Sequence, residues 1–152
     1  MLEQIIEVVQ ENFLISTDKS KLDLPVIHAF LIDSYWATNI PMEIVKKSVE
    51  NSLCFGVYDN GKQVGFARVI SDYATFAYLA DVFILPENRG KGLSKLLMQT
   101  IKTHPELQNL RRWMLATRDA HKLYEKFGFV RLTNPDPIMV ISNPNIYQSH
   151  QE

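Results

Sequence analysis

One stretch of this 152-residue chain combines residue types and spacing suited to chemistry: Arg89-Gly90-Lys91-Gly92-Leu93-Ser94. It follows the apolar run Phe76 to Leu85. After it, Leu93, Leu96, Leu97, Thr100 and Ile101 recur at helical spacing. The turn therefore joins a strand to the start of a helix. The first N–H groups of a helix lack intrahelical partners, and the macrodipole adds partial positive charge there. Two glycines let the backbone approach a ligand with no Cβ in the way. Arg89 and Lys91 add full positive charges. These features together make a seat for a diphosphate. Two ionisable residues flank it, Asp81 in the preceding strand and Tyr124 on a later short helix.

Three phosphate motifs compete for the turn. A nucleotide-binding P-loop needs G-x-x-x-x-G-K-[ST], but Gly90-Lys91 is followed by Gly92 and position 85 is Leu85. A dinucleotide fingerprint needs G-x-G-x-x-G, and Lys95 stands where its third glycine belongs. Both failures weigh against a nucleotide-binding protein. Arg89, Gly92 and Ser94 do occupy the defined positions of R/Q-x-x-G-x-G/A, the acyl-CoA pyrophosphate turn of the GNAT N-acetyltransferases. The stretch Asp81-Val82-Phe83-Ile84-Leu85-Pro86-Glu87-Asn88-Arg89-Gly90-Lys91-Gly92 resembles the fourth strand and following turn of that family. Leu123-Tyr124-Glu125-Lys126-Phe127-Gly128-Phe129 is similar to its L-Y-E-K-x-G-F segment. The resemblance spans about Leu53 to Leu132. Before that it holds by element order alone.

The resemblance implies acetyl-CoA as co-substrate, no metal, and transfer of acetyl to an amine. It implies a strand splayed from its parallel neighbour, with the pantetheine arm in the gap. The backbone of Phe83, Ile84 and Leu85 would meet that arm. Arg89, Gly90, Lys91, Gly92, Leu93 and Ser94 would hold the pyrophosphate. Thr117 stands where many relatives carry an Asn that contacts pantetheine, and Ser94 replaces the usual Gly or Ala. Tyr124 matches the family's general acid. A thiol ionises near about 8.5, so a departing thiolate gains from a proton donor. The other reading of Tyr124 is a half-buried packing aromatic. A primary amine near pKa of about 10 must lose a proton, directly or through water. Asp81 is the first candidate to take it, or else a structural acceptor. His121 and His28 read as a surface and a packed helix histidine that could face the site, and His104 and His150 as loop residues. Tyr35, Trp36 and Tyr73 are candidate walls for the acceptor, and Arg118 a candidate partner for an acidic group. The alternative to an enzyme is a non-catalytic acyl-CoA-binding or sensing module of the same fold.

These residues need a scaffold. Leu2, Ile5, Ile6 and Val9 share one face at helical spacing, so residues 1–11 read as a helical extension. Phe13 to Ser16 reads as a strand, and Thr17 to Leu22 as a loop. Asp23 caps a helix from Pro25 to about Tyr35. Another helix starts at Pro41, with Ile44, Val45 and Val49 inward. Leu53–Tyr58 and Gln63–Ile70 flank Asn60-Gly61, the signature of a type I′ hairpin. Phe76 to Leu85, apolar almost throughout, is a central strand that Pro86 ends. Trp113–Ala116, Phe129–Leu132 and Ile138–Ile141 read as further strands. Asp119 caps a short helix, with Gly128 at its C′ position. The expected fold is mixed α/β: a GNAT-type mixed, mostly antiparallel sheet of about six to seven strands flanked by helices, with a splayed parallel pair holding acyl-CoA. A single domain spans 1–152, with residues 142–152 a weakly ordered tail.

Bulk composition narrows the partners. The chain is 46% hydrophobic and 22% charged with net charge −1, ordinary for a globular protein and short of the basic excess of a nucleic-acid binder. No acidic cluster suits a polyamine. The single Cys54 sits in an apolar run and reads as a buried thiol, neither disulfide framework nor metal ligand. No run approaches the roughly 18 apolar residues of a membrane span, and no signal peptide is read. The expectation is a cytoplasmic protein with a small-molecule or peptide amine as acceptor, no nucleic-acid or membrane partner, and a homodimer by resemblance.

Overall fold

A computed structural model describes residues 4–148. Six strands form one sheet in sequence order, β1 (Glu7–Gln10), β2 (Phe13–Ser16), β3 (Leu53–Asp59), β4 (Lys62–Ser71), β5 (Phe76–Ile84) and β6 (Arg112–Met114). Every neighbouring pair is antiparallel except β5 and β6, which run parallel. Among the described residues, four α-helices flank the sheet: α1 (Leu24–Ile32), α2 (Met42–Glu50), α3 (Leu93–Lys102) and α4 (His121–Glu125).

Alternation along the strands sends side chains to two cores. Phe55, Val57 and Val69 pack with Leu97, Met98 and Ile101 of α3. Cys54, Phe66 and Phe83 pack with Ile27 and Leu31 of α1 and Val45 and Val49 of α2. Cys54 is buried there, as its run predicts. Local signals act where expected. Asp23 accepts a hydrogen bond from the Val26 N–H and caps α1. Asn60 and Gly61 take φ of 50° and 83° in the β3–β4 hairpin. Gly128 has φ of 94°. It donates to the Glu125 carbonyl, and Phe129 donates to that of Tyr124, the paired bonds of a Schellman motif with Gly128 at C′.

Several expectations are corrected. Glu7–Gln10 form a strand, not part of a helix; residues 1–3 of that reading lie outside the described residues. β-Branched Val8 and Val9 suit the strand, and Phe13–Ser16 offers a ladder that isolated helical spacing cannot match. The end of α1 comes at Ile32 rather than Tyr35. The N-cap of α4 is Ala120, with no side-chain cap; Asp119 is exposed and lies 3.8 Å from the Arg118 guanidinium, and Thr117 Oγ1 accepts from the Ala120 N–H at 3.0 Å in the preceding loop. Neither Phe129–Leu132 nor Ile138–Ile141 joins the sheet, since no neighbouring strand lies beside them. Of the tail from residue 142, residues 144–147 form a turn, and 149–152, including His150, lie outside the described residues.

Candidate active site

The site begins where β5 and β6 part. Their parallel pairing covers Phe76–Tyr78 against Arg112–Met114 and stops there, while β5 continues to Ile84. On its other side β5 carries a bulge. Phe66 pairs with Phe83 and Arg68 with Ala80, so Ala67 faces two residues, Asp81 and Val82. Asp81 adopts φ of 55°, the left-handed region that few residues but Asn, Asp and Gly tolerate. Bulges re-aim side chains, and this one turns the Asp81 carboxylate toward charged and polar partners. Its Oδ2 accepts from Arg68 Nε at 2.8 Å, and its Oδ1 accepts from Trp36 Nε1 at 2.8 Å. Arg68 also donates to Ser52 Oγ. A charge in the middle of an apolar strand must find a partner, and Arg68 finds Asp81.

A cavity of about 710 Å³ opens at this bulge. Asp81, Thr117 and Tyr124 line it, with Tyr35, Trp36 and Tyr78 among its aromatic walls. A second cleft of about 430 Å³ shares Tyr35, Trp36 and Arg118 and reaches Pro86, just before the glycine turn. The α1–α2 loop bridges the two. Tyr35 Oη accepts from the Arg118 N–H at 3.0 Å, and the Arg118 guanidinium carbon lies 4.0 Å from the Tyr35 ring centre. Tyr124 is 8% exposed. Burial, with smaller contributions from Tyr35 and Asp119, pushes its phenol up to about 12. The group therefore stays protonated across the ordinary pH range.

The glycine turn has the shape of an anion seat. Gly90 and Gly92 take φ of 79° and 78°, and a Cβ placed on either would meet open space. Gly92 caps α3 without any side-chain hydrogen bond. Among the described residues, no acceptor is found for the amides of residues 90–94. Unpaired donors, open space and the α3 dipole fit a diphosphate. Arg89 commits one of its N–H groups, Nε, to the Ile84 carbonyl at 3.0 Å. Lys91 Nζ stands 5.9 Å from the Phe13 ring centre. Leu93 is buried, so only its backbone is available, while Ser94 is partly exposed.

The strand itself is more selective than its sequence. Leu85 donates its N–H to the Val64 carbonyl, and its own carbonyl accepts from Asn88. Its N–H is therefore committed within the protein, and what its backbone retains is the second lone pair of the carbonyl. Backbone alternation then turns Phe83 toward β4 as well, leaving Ile84 facing the gap with its N–H, its carbonyl held by Arg89. The Thr117 oxygen accepts from Ala120, so it retains its hydroxyl proton and one lone pair for a ligand.

Other candidates separate cleanly. His28 Nε2 lies 2.8 Å from the Ile40 carbonyl and ties α1 to the loop before α2. His104 is a loop residue after α3, as expected, and is buried beside Phe55. Neither His121 nor Tyr73 lines the cavity. Sequence reasoning missed Tyr147, which lines the cavity from the turn at residues 144–147 and packs on the α1–α2 core. No periodic pattern marks that residue. Arg68 was also missed, although a lone charge between apolar neighbours was a readable signal.

Comparison with known proteins agrees with this geometry. The family described as Acetyltransferase (GNAT) domain matches residues 50–131. A Gibberella zeae protein assigned as an acetyltransferase is 33% identical over 138 residues, covering 76% of this chain and 77% of its own. The crystal structure of a GNAT-assigned protein from Xanthomonas campestris is 52% identical, with a TM-score of 0.87 over 89% of this chain and 96% of that one. A Clostridium acetobutylicum acetyltransferase-assigned structure with acetyl-CoA is 14% identical, with a TM-score of 0.58 over 85% and 90% of the two chains, a likeness of fold alone. The chain belongs to the GNAT acetyltransferase family.

Proposed function

We propose that this protein moves acetyl from acetyl-CoA to a primary amine by direct attack. The observation that carries the reading is Tyr124, a phenol kept protonated by burial, in the same cavity as Asp81 at the mouth of the β5–β6 gap. The amides of residues 90–94 hold the diphosphate, and Arg89, Lys91 and Ser94 border it. Ile84 offers its N–H to the pantetheine arm, and Thr117 its hydroxyl proton. The amine nitrogen attacks the thioester carbonyl, the C–S bond breaks, Tyr124 gives its proton to the departing sulfur, and the proton the nitrogen sheds as the amide forms restores the phenol through solvent. Arg68 and Trp36 each occupy one oxygen of Asp81. The remaining lone pairs accept from the incoming ammonium, or from the water that carries its proton away.

The walls suggest the acceptor. Tyr35, Trp36, Tyr78 and Tyr147 join Ile40 and Ile44 around a floor where Arg68 and Asp81 neutralise each other. That lining suits a monoamine with an apolar body better than a polycation. The reading extends to a single acetyltransferase domain working in the cytoplasm. No helix among the described residues is long and apolar enough to cross a membrane.

A second reading, an acyl-CoA-binding module without turnover, draws on the commitments of Asp81 and of the Thr117 oxygen. Incubation with acetyl-CoA and a panel of amines, following free thiol, separates the two. Thiol released in step with acetylated amine supports transfer. Thermal stabilisation by CoA with no turnover on any amine supports the module. Absence of both removes the common ground of the two readings.

A further inference from the structure

Two positively charged side chains line the large cavity, Arg68 and Arg118. Arg68 is committed: its guanidinium donates to Asp81 Oδ2 and Ser52 Oγ. Arg118 is not. Among the described residues its side chain has no hydrogen-bond acceptor, and its nearest carboxylate, Asp119, keeps 3.8 Å from Nη2. Asp33 lines the second cleft, also outside hydrogen-bond reach. An exposed ion pair at that separation is weak, and a guanidinium carries five N–H donors to satisfy.

Arg118 is nevertheless held in one place. Its backbone N–H donates to Tyr35 Oη at 3.0 Å, and its guanidinium carbon lies 4.0 Å from the centre of the same ring. One aromatic residue thus fixes both the root and the head of the side chain. At that distance the guanidinium rests on the ring, and its N–H groups remain available in the planar fork that matches a carboxylate. The side chain is 66% exposed and borders both cavities, which also share Tyr35 and Trp36. A fork held ready on a cavity wall recognises anions well, because the entropy of ordering a long side chain is lost before the ligand arrives.

We infer that Arg118 selects the acceptor: the amine carries a carboxylate at the far end of an apolar body, and the Arg118 fork binds it. The inference rests on the acetyl-transfer reading, in which the amine meets Asp81. From Asp81 the cavity wall runs through aromatic rings. Trp36 donates to Asp81 Oδ1, its ring centre stands 5.0 Å from that of Tyr35, and Tyr35 carries Arg118. The contact path from amine seat to anion seat passes through two rings, so the two charges of the acceptor belong at opposite ends of its body rather than on one carbon. The other source of an anion is a CoA phosphate, because the second cleft reaches Pro86 just before the glycine turn. The amides of residues 90–94 serve the diphosphate in that reading, which leaves Arg118 to the acceptor.

Two pairs of amines that differ only by a carboxylate test the assignment: p-(aminomethyl)benzoate with benzylamine, and ε-aminocaproate with n-pentylamine. Calorimetry on the CoA-saturated protein measures binding, and acetylation assays measure KM. In at least one pair the carboxylate partner should bind at least about tenfold more tightly, as a charge-assisted fork allows. The advantage should shrink as salt screens the exposed guanidinium. Arg118→Met should bring the ratio within that pair to about one, and Arg118→Lys should keep part of it. Asp119→Asn, which removes the competing carboxylate, should widen it. Tighter binding of the carboxylate partner without turnover would keep the Arg118 site and remove acetyl transfer to these amines. No advantage in either pair would overturn the inference, even with both plain amines acetylated. So would an advantage that survives Arg118→Met, or an Arg118→Met variant whose only loss is in CoA affinity, which would assign the guanidinium to a cofactor phosphate.

Discussion

Replacing Tyr124 with Phe removes one oxygen and leaves the ring. The ring packs edge-on against Phe129 at 6.0 Å, and phenylalanine keeps that contact. Folding should change little, by about 1 kcal/mol or less, as expected of a substitution that opens no cavity. Chemistry should change much more. A positioned acid contributes about 10²–10⁴-fold, equivalent to about 2.7–5.5 kcal/mol of barrier. The expected result is kcat lowered at least about 100-fold, with KM for acetyl-CoA within about twofold, because the lost interaction forms only as the sulfur departs. The pH profile sharpens the test. Burial raises the phenol to about 12, so its proton is present below the ordinary tyrosine value of about 10 and is lost only as pH rises through about 12. Wild-type kcat should therefore show no falling alkaline limb below about pH 10 from this group. Steady-state assays of thiol release from pH 6 to 10 on both proteins decide the matter. A Phe variant within about threefold of wild type would refute the role of Tyr124. An alkaline limb near pH 9 that vanishes in the variant would refute the burial argument while keeping the acid.

Three further perturbations probe the parts around it. Gly92→Ala forces a side chain into φ of 78°, at a strain of about 1–2 kcal/mol, and fills the open space over the turn. Calorimetry should show that loss, and the stabilisation given by a fixed CoA concentration should fall by about 1.4 kcal/mol, a tenfold weaker complex. Arg68→Met leaves the Asp81 carboxylate with Trp36 alone. Breaking a mostly buried pair costs about 3 kcal/mol, and Asp81→Asn in the same chain should recover much of it in a double-mutant cycle on thermal unfolding. Tyr147→Ala removes one aromatic wall, worth about 1 kcal/mol, and should raise the acceptor KM about fivefold while leaving that of acetyl-CoA unchanged.

What could be read from the sequence depended on where each determinant lies. The β3–β4 hairpin was legible because Asn60-Gly61 carries its own φ requirement. The Asp23 cap and the Gly128 terminus were legible for the same local reason. The turn from Arg89 to Ser94 was legible as a strand-to-helix turn, because strand, glycines and helix are adjacent in the chain. The commitments of Leu85 and Asp81 were not. Val64, Trp36 and Arg68 reach them through sheet register and a bulge, neither of which has a local signature. β1 was misread because an apolar spacing near 3.6 residues and an edge strand of β-branched residues both fit Leu2 to Val9, and pairing with Phe13–Ser16 decided between them.

The strands that sequence analysis placed at Phe129–Leu132 and Ile138–Ile141 are a different kind of mismatch. Their pattern is that of a strand, and their turn forms, yet their backbone has no ladder to join. A strand is defined by its neighbour, so a sequence can be right about propensity while a single chain lacks the structure. Tyr147 escaped notice for a related reason: its place in the cavity is set by the course of the chain after α4 and not by any local pattern.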